Sequence, residues 1–427
     1  MGEPNFLQYV GEKTWWQVGT LLTGTHQSPL LNANVVFNEK SILFVGDSSS
    51  LPPKNLLKEG QESPDLSLPD YTLLPGLIEA HAHLFLEGAE LDFDTRKQYL
   101  KKKPEELFVL ATKRLEKLVR IGVTAYRDAG DNNGVGLQLS KLYGNANRPL
   151  MPYVDSPGAA IHHKGRYGSF MSEPLENYST IRECVEGRIA AGADRIKLIP
   201  TGIINFKEGR VTKEPQMTSE EMIEFVKVSK ELGKQTFAHA SGDIGIDVVI
   251  DGGADSVEHG FFLRDDQLNR MRDKDIAWVP TFAPVQKQVD FKDKMGWDEN
   301  IVSNLQKILD LHASNLVKAE KKGVKVIAGS DAGSYGVAHG VDFLYELELM
   351  EAAGISPISV INSATGVSSD RLGYKENFGQ IKKGFKSRFI LTKNSPLDKI
   401  SNLRLDKHVV FDGQILESKN DMDYSGL

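Results

Sequence analysis

The chain has one cysteine, Cys184, in 427 residues. One thiol cannot form an intrachain disulfide or a cysteine-rich zinc site. Low cysteine use suits a reducing compartment, so a cytoplasmic protein is expected. No apolar run approaches the roughly 18 residues of a membrane span. The Met1–Val10 stretch, with Glu3 and Pro4, has no apolar core of a secretory leader. Basic charge is not in excess: 51 Lys and Arg against 58 Asp and Glu leave a net charge of −7. That balance argues against a nucleic-acid surface. There is no phosphate-binding Gly-x-x-x-x-Gly-Lys loop and no Gly-x-Ser-x-Gly elbow. What remains is ordinary, 40% hydrophobic and 26% charged, and long enough to bury a large core.

The ends and the middle read differently. Up to about residue 70, short extended runs such as Trp16-Gln17-Val18 and Ser41–Val45 are broken by turn residues. From about 380 the same texture returns, in Phe389–Leu391 and His408–Phe411. Both ends are therefore expected to share one small β domain. Between them, strand-like runs at 77–83, 123–128, 152–156, 196–200, 236–240, 256–259, 277–281 and 324–329 alternate with helical stretches such as 105–120, 219–232 and 300–321. Alternation of this kind predicts βαβ units and a parallel sheet. Eight such strands suggest an α/β fold closed as a (β/α)8 barrel, with an open doubly wound sheet as the competing architecture.

The chemistry lies where polar residues end these runs. His81-Ala82-His83 closes the first; residues i and i+2 of a strand point the same way, so two imidazoles can meet one ion. Alone, a His-x-His is as a rule coincidence. Lys197 interrupts the apolar run Ile196–Ile199, where an unpaired ammonium is costly. His239 and His259 close two successive runs, and Asp331 follows Val326–Ser330. A lone buried histidine is usually core, and a lone Asp there is usually a cap. Together they make a nitrogen- and oxygen-rich set that suits zinc or a related divalent ion. The set is too large for one tetrahedral ion and divides between two.

The segment Pro75-Gly76-Leu77-Ile78-Glu79-Ala80-His81-Ala82-His83, with Lys197, His239, His259 and Asp331, resembles the metal-dependent amidohydrolase superfamily. Arg127–Gly130, Val257–Gly260 and Val279–Thr281 are similar to its branch of Xaa-Pro and Xaa-Arg dipeptidases and imidazolonepropionase-like enzymes. The resemblance implies a (β/α)8 TIM barrel over 71–379 and a split β-sandwich domain from 1–70 plus 380–427. It implies two divalent ions, zinc expected. His81, His83 and Asp331 would hold one, His239 and His259 the other, and a carboxylated Lys197 would bridge them. It implies hydrolysis of an amide C–N bond of a small molecule or dipeptide by a metal-bridging hydroxide, with Asp331 as general base and then acid. A homo-oligomer is also expected.

The branch often carries a Gly-Gly-His-Gly motif, and here the region reads Ile161-His162-His163-Lys164-Gly165-Arg166-Tyr167-Gly168. Tyr167 or one of the two histidines would then face the oxyanion. The expected catalytic set is Asp331, His259, Tyr167 and His163. Tyr167, His163, Lys207 and Arg210 are the candidates for binding substrate, the last two for a carboxylate. The same metal centre also serves a lactonase, esterase or phosphotriesterase reading. Lys197 counts against a deaminase, and six retained ligand positions count against a non-catalytic scaffold.

Overall fold

The computed structural model describes residues 10–374 and 376–418. Residues 1–9, which hold most of the stretch read for a leader, and 419–427, the end of the expected terminal segment, lie outside the described residues. Four strands open the chain: β1 (Thr14–Leu21), β2 (Leu30–Phe37), β3 (Ile42–Gly46) and β4 (Leu66–Pro75). β4 runs past residue 70 to Pro75, so the small unit extends slightly further than its expected edge.

The central part begins with β5 (Leu77–Ala82), β6 (Val123–Asp128) and β7 (Tyr153–Asp155), which pair in parallel. β5 and β6 are buried at every position, as expected for strands covered on both faces. β8 (Ile196–Leu198) is followed by a small antiparallel hairpin, β9 (Ile204–Asn205) and β10 (Arg210–Val211). β11 (Thr236–Ala240), β12 (Ser256–His259) and β13 (Ala277–Val279) complete a parallel sheet ordered β13-β12-β11-β8. Helices separate these strands. Pro104–Ile121 starts with proline at its first turn and ends on Gly122, whose φ of 102° closes the helix before β6. Asp298 caps the helix Glu299–Lys322 by accepting from the Ile301 amide at 2.9 Å.

The two parallel sets are joined by backbone hydrogen bonds rather than by long ladders. Val326 bridges to Trp278 of β13, and Ala332 bridges to Ala82 of β5. On the other side the Asp194 amide donates to the Ser156 carbonyl at 2.8 Å, and the Ile161 amide to the Lys197 carbonyl at 2.9 Å. Within the expected eighth strand, 324–329, Val326 bridges to Trp278 and the Ala328 carbonyl accepts from the Ala80 amide of β5 at 3.0 Å, without forming a ladder.

The chain then returns through β14 (Phe389–Thr392), β15 (Lys407–Phe411) and β16 (Gln414–Ser418) to the opening strands. The order is β16-β15-β14-β4-β1-β2-β3, a single hydrogen-bonded sheet. Phe37 on β2 and Phe389 on β14 are three strand spacings apart, about 14 Å if the sheet were flat. Their ring centroids are 4.9 Å apart. The sheet therefore curls until its two halves face each other across a core that includes Trp16.

Candidate metal centre

The strand-end residues converge. His81 and His83 sit at the end of β5 and just beyond it, on the side where Asp331 leaves the Val326 segment. His81 Nδ1 donates to Glu258 Oε2 at 2.5 Å, and His83 Nδ1 donates to the Gly130 carbonyl at 3.0 Å. Those bonds assign the proton to Nδ1 and leave each Nε2 lone pair free. Both Nε2 atoms point at one oxygen: Asp331 Oδ1 is 3.6 Å from His81 Nε2 and 3.5 Å from His83 Nε2. His81 Nε2 is buried and has no hydrogen-bond partner. The donor atoms of the three residues lie within 4.8 Å of one another.

Two more imidazoles stand beside them. The His259 ring centroid is 4.9 Å from that of His81 and 4.6 Å from that of His239. His259 Nδ1 meets Thr281 Oγ1 at 2.8 Å, and His239 Nε2 meets the Gly202 carbonyl at 3.3 Å. His239 therefore offers Nδ1, whereas His259 offers Nε2. Burial, followed by the charge of Lys197, lowers His83 to about 4 and His239 to about 3. Burial also holds His81 and His259 well below the usual histidine range. All four imidazoles are held neutral near pH 7, the form that can donate a lone pair.

Lys197 on β8 is 2% exposed, and its Nζ lies 4.6 Å from the Phe237 ring centroid. Among the described residues no carboxylate pairs with it. Burial lowers its ammonium to about 8, so a neutral amine is accessible near physiological pH. Burial raises Asp331 to about 7, while Ser334 Oγ donates to its Oδ2 at 2.8 Å.

A floor of buried charge supports these groups. Glu258 Oε2 also accepts from Arg127 Nη2 at 2.7 Å, and Ser256 Oγ donates to the same carboxylate. Arg127 in turn donates to the Ala80 carbonyl at 2.5 Å. Glu79 accepts from the amides of His81 at 3.1 Å and Ser330 at 3.0 Å, tying β5 to the Asp331 segment. Glu79, Arg127, Glu258 and Thr281 lie in the segments that carry the resemblance, but nothing in sequence assigned any of them a role. For the first three the available signal was a charged residue inside an otherwise apolar strand.

The site opens into a cavity of about 380 Å³. His81, His83, Lys197, His239, His259, Asp331 and Tyr167 all line it. The Tyr167 ring is 5.3 Å from that of His239, and burial raises its phenol so that it stays a donor. His163 does not line the cavity: its Nδ1 donates to Glu176 at 2.9 Å, and its Nε2 lies 3.2 Å from Glu221 without a hydrogen bond. His162 is a staple, with both ring nitrogens on the carbonyls of His163 and Ser172. Lys207 and Arg210 also fall outside the lining. The β9–β10 hairpin presents Ile204 and Phe206 to the cavity, while Lys207 is exposed and Arg210 pairs with Glu208 at 2.8 Å. For a divalent ion the donor set fits: neutral imidazoles, a carboxylate and an unpartnered buried nitrogen.

Fold and site together define a hydrolase acting on carbon–nitrogen bonds, and residues 72–416 match the Amidohydrolase family, to which the chain belongs. Among its relatives is the ochratoxinase of Aspergillus niger, 25% identical over 419 residues, covering 92% of this chain and 83% of the relative. A solved Xaa-Pro dipeptidase with methionine bound in its active site is 25% identical, with a TM-score of 0.77 over 95% of this chain and 100% of the other. The Aspergillus niger ochratoxinase structure, 23% identical, gives a TM-score of 0.77 over 96% and 99% and shows the shared fold. Among the described residues no helix is long and apolar enough to cross a membrane.

Proposed function

We propose that the chain hydrolyses an amide C–N bond of a small molecule or dipeptide at a pair of divalent ions, with zinc suited to the ligands. His81, His83 and Asp331 would hold one ion, His239 and His259 the other, and Lys197 carboxylated on Nζ would bridge them. The observation that carries this reading is the unpartnered, buried His81 Nε2 aimed with His83 Nε2 at Asp331. Ions bound there would acidify a water to hydroxide near neutral pH and polarise the scissile carbonyl. Asp331 takes the proton of the attacking water and hands it to the leaving nitrogen, a role open to a carboxylate on the cavity wall. Tyr167 donates its phenol hydrogen to the carbonyl oxygen as charge develops. Of the three residues weighed for that contact, Tyr167 alone lines the cavity.

The same reading takes the parallel segments as one closed (β/α)8 barrel over 71–379, with the curled terminal sheet, 1–70 plus 380–427, as its β-sandwich companion. It keeps the enzyme cytoplasmic, with Cys184 buried as packing, and oligomeric. Metal analysis of protein purified without chelator tests the centre: about two equivalents per chain are expected. Amides, dipeptides and lactones assayed before and after chelation test the bond. Asp331→Asn is expected to keep its fold, because Asn tolerates the φ of 55° at this position. It should lose about 10²–10⁴ in turnover. Metal-free protein that still cleaves amides, or an active Asp331→Asn, sinks the reading.

A further inference from the structure

We propose that a second pocket, at the start of the segment 324–329, binds a free α-amino acid with an apolar side chain, apart from the metal centre. The pocket holds about 240 Å³. That is below the roughly 300–1,000 Å³ of cofactor- and drug-sized sites, so its ligand is small. It is walled by the end of the helix Glu299–Lys322, by the helices Val341–Ala352, Pro357–Ser363 and Gly366–Leu372, and by His26 from the turn between β1 and β2. Val326 lies on its wall, about 16 Å ahead of Asp331 if the segment runs extended. No residue lines both this pocket and the cavity of the metal centre.

Leu316, Val324, Met350, Ile355 and Val367 give the pocket an apolar wall. Beside them runs an unused strand edge. The Trp278 amide of β13 donates to the Lys325 carbonyl, and the Trp278 carbonyl accepts from the Ile327 amide, both at 2.9 Å. In a parallel bridge of this kind the residue between those two turns its own amide and carbonyl to the other side. Neither the Val326 amide nor its carbonyl has a hydrogen-bond partner among the described residues. One donor and one acceptor of a single residue therefore stand unused at the pocket wall.

The mouth carries both signs of charge. Glu320 and Lys325 are exposed there, and neither has an ion-pair partner among the described residues. Ser359, also on the wall, accepts from the Ser356 hydroxyl at 3.0 Å, so its own hydrogen is left to donate. A ligand of one charge would be attracted by one of the two side chains and repelled by the other, whereas a zwitterion suits both. Its carboxylate takes Lys325, the Ser359 hydroxyl and the Val326 amide, and its ammonium takes Glu320 and the Val326 carbonyl. The helix Glu299–Lys322 ends at the pocket, and its negative pole favours the ammonium. An α-amino acid holds its two charges on neighbouring atoms of one carbon, as the edge at Val326 requires. Its side chain then enters the apolar wall.

Calorimetry on chelated and dialysed protein tests the site, because amino acids also ligate metals. L-leucine should bind at about one equivalent per chain and at least about tenfold tighter than glycine, which has no side chain to bury. Leucinamide lacks the carboxylate and 4-methylpentanoate lacks the ammonium; each should bind at least about tenfold more weakly than leucine. Lys325→Gln should narrow the gap to leucinamide, and Glu320→Gln the gap to 4-methylpentanoate. Ser359→Trp, which fills the pocket from its half-buried wall, should abolish binding. Melting curves check folding, and if Ser359→Trp unfolds early, the two charge variants carry the comparison. No saturable binding of leucine, 4-methylpentanoate or leucinamide binding as tightly as leucine, or full leucine affinity in all three variants overturns the proposal. The result does not depend on the reaction: protein that cleaves no amide but binds leucine through Lys325 and Glu320 keeps this site and loses the proposed activity.

Discussion

Glu258→Gln tests whether the buried floor sets both the stability and the metal affinity of the site. The carboxylate is fully buried and holds His81 Nδ1 at 2.5 Å and Arg127 Nη2 at 2.7 Å. Glutamine keeps the shape and most of the hydrogen bonds, since the Ser256 hydroxyl can turn to accept. What it removes is the charge opposite Arg127, itself 1% exposed. Breaking a buried ion pair from one side costs roughly 3–5 kcal/mol, and the retained hydrogen bonds place this case near the lower figure. In a chain of this size that is a fall of about 3 °C in melting temperature. Loss of the carboxylate behind a ligating histidine should also weaken metal binding about 10–100-fold. Thermal melts and metal titration against a competing chelator read the two effects. Adding Arg127→Met should recover part of the stability, because it removes the orphaned cation, but not the affinity. A Glu258→Gln protein that melts within about 1 °C of the parent and binds metal equally well would refute the argument.

Three further outcomes follow from the packing. Gly329→Ala places a methyl 2.8 Å from the His81 amide nitrogen and 2.7 Å from Val279 Cγ1; it should cost about 1–3 kcal/mol and lower metal content by shifting His81, read by melting and elemental analysis. Trp16→Ala removes the ring that meets both Phe37 and Phe389; it should cost about 3–5 kcal/mol in denaturant titration and leave the metal affinity of folded protein unchanged. Lys407 is buried on β15, donating to the Leu403 carbonyl at 2.6 Å, and burial lowers its ammonium to about 8. Its folded value lies below its unfolded one, so the charged form destabilises the fold below about pH 8, and the penalty fades as pH rises toward 10.5. Lys407→Met should therefore gain about 1–3 kcal/mol at pH 7 and nothing near pH 10.5, and an equal gain at both would refute the cause.

Much of the site was legible because a strand end is a local signal. His81, His83, His239, His259, Lys197 and Asp331 each interrupt an apolar run, and the structure gathers them on one cavity wall. What a single sequence could not give depends on distant partners. Glu258 meets Arg127 from 131 positions away, and neither residue's neighbours announce the other. Tyr167 and His163 stayed open as alternatives because loop side chains are aimed by remote contacts. Glu176 accepts from the His163 ring at 2.9 Å away from the cavity, and Gln216 donates to the Tyr167 carbonyl at 2.9 Å. The strand expected at 324–329 gives one isolated bridge, Val326 to Trp278, rather than a ladder.

The backbone at the strand ends explains how neighbours in sequence share one target. In a regular strand Glu258 and His259 would point to opposite faces. Both nonetheless reach His81, Glu258 at its Nδ1 and His259 ring to ring. His259 has φ of 68°, Thr281 50° and Asp331 55°, all in the left-handed region that non-glycine residues rarely enter. Each such residue costs about 1 kcal/mol or more and persists only where its surroundings over-determine it. Here Trp278 Nε1 donates to the His259 carbonyl at 2.8 Å, Thr281 binds the His259 ring, and the Asp331 amide donates to the His81 carbonyl at 2.7 Å. At His259, the last residue of β12, the left-handed step turns the imidazole toward His81 while Glu258 before it reaches the same residue from beneath. Valine or isoleucine at 259 or 331 would lose the donor atom and add strain at a φ that β-branched residues rarely adopt.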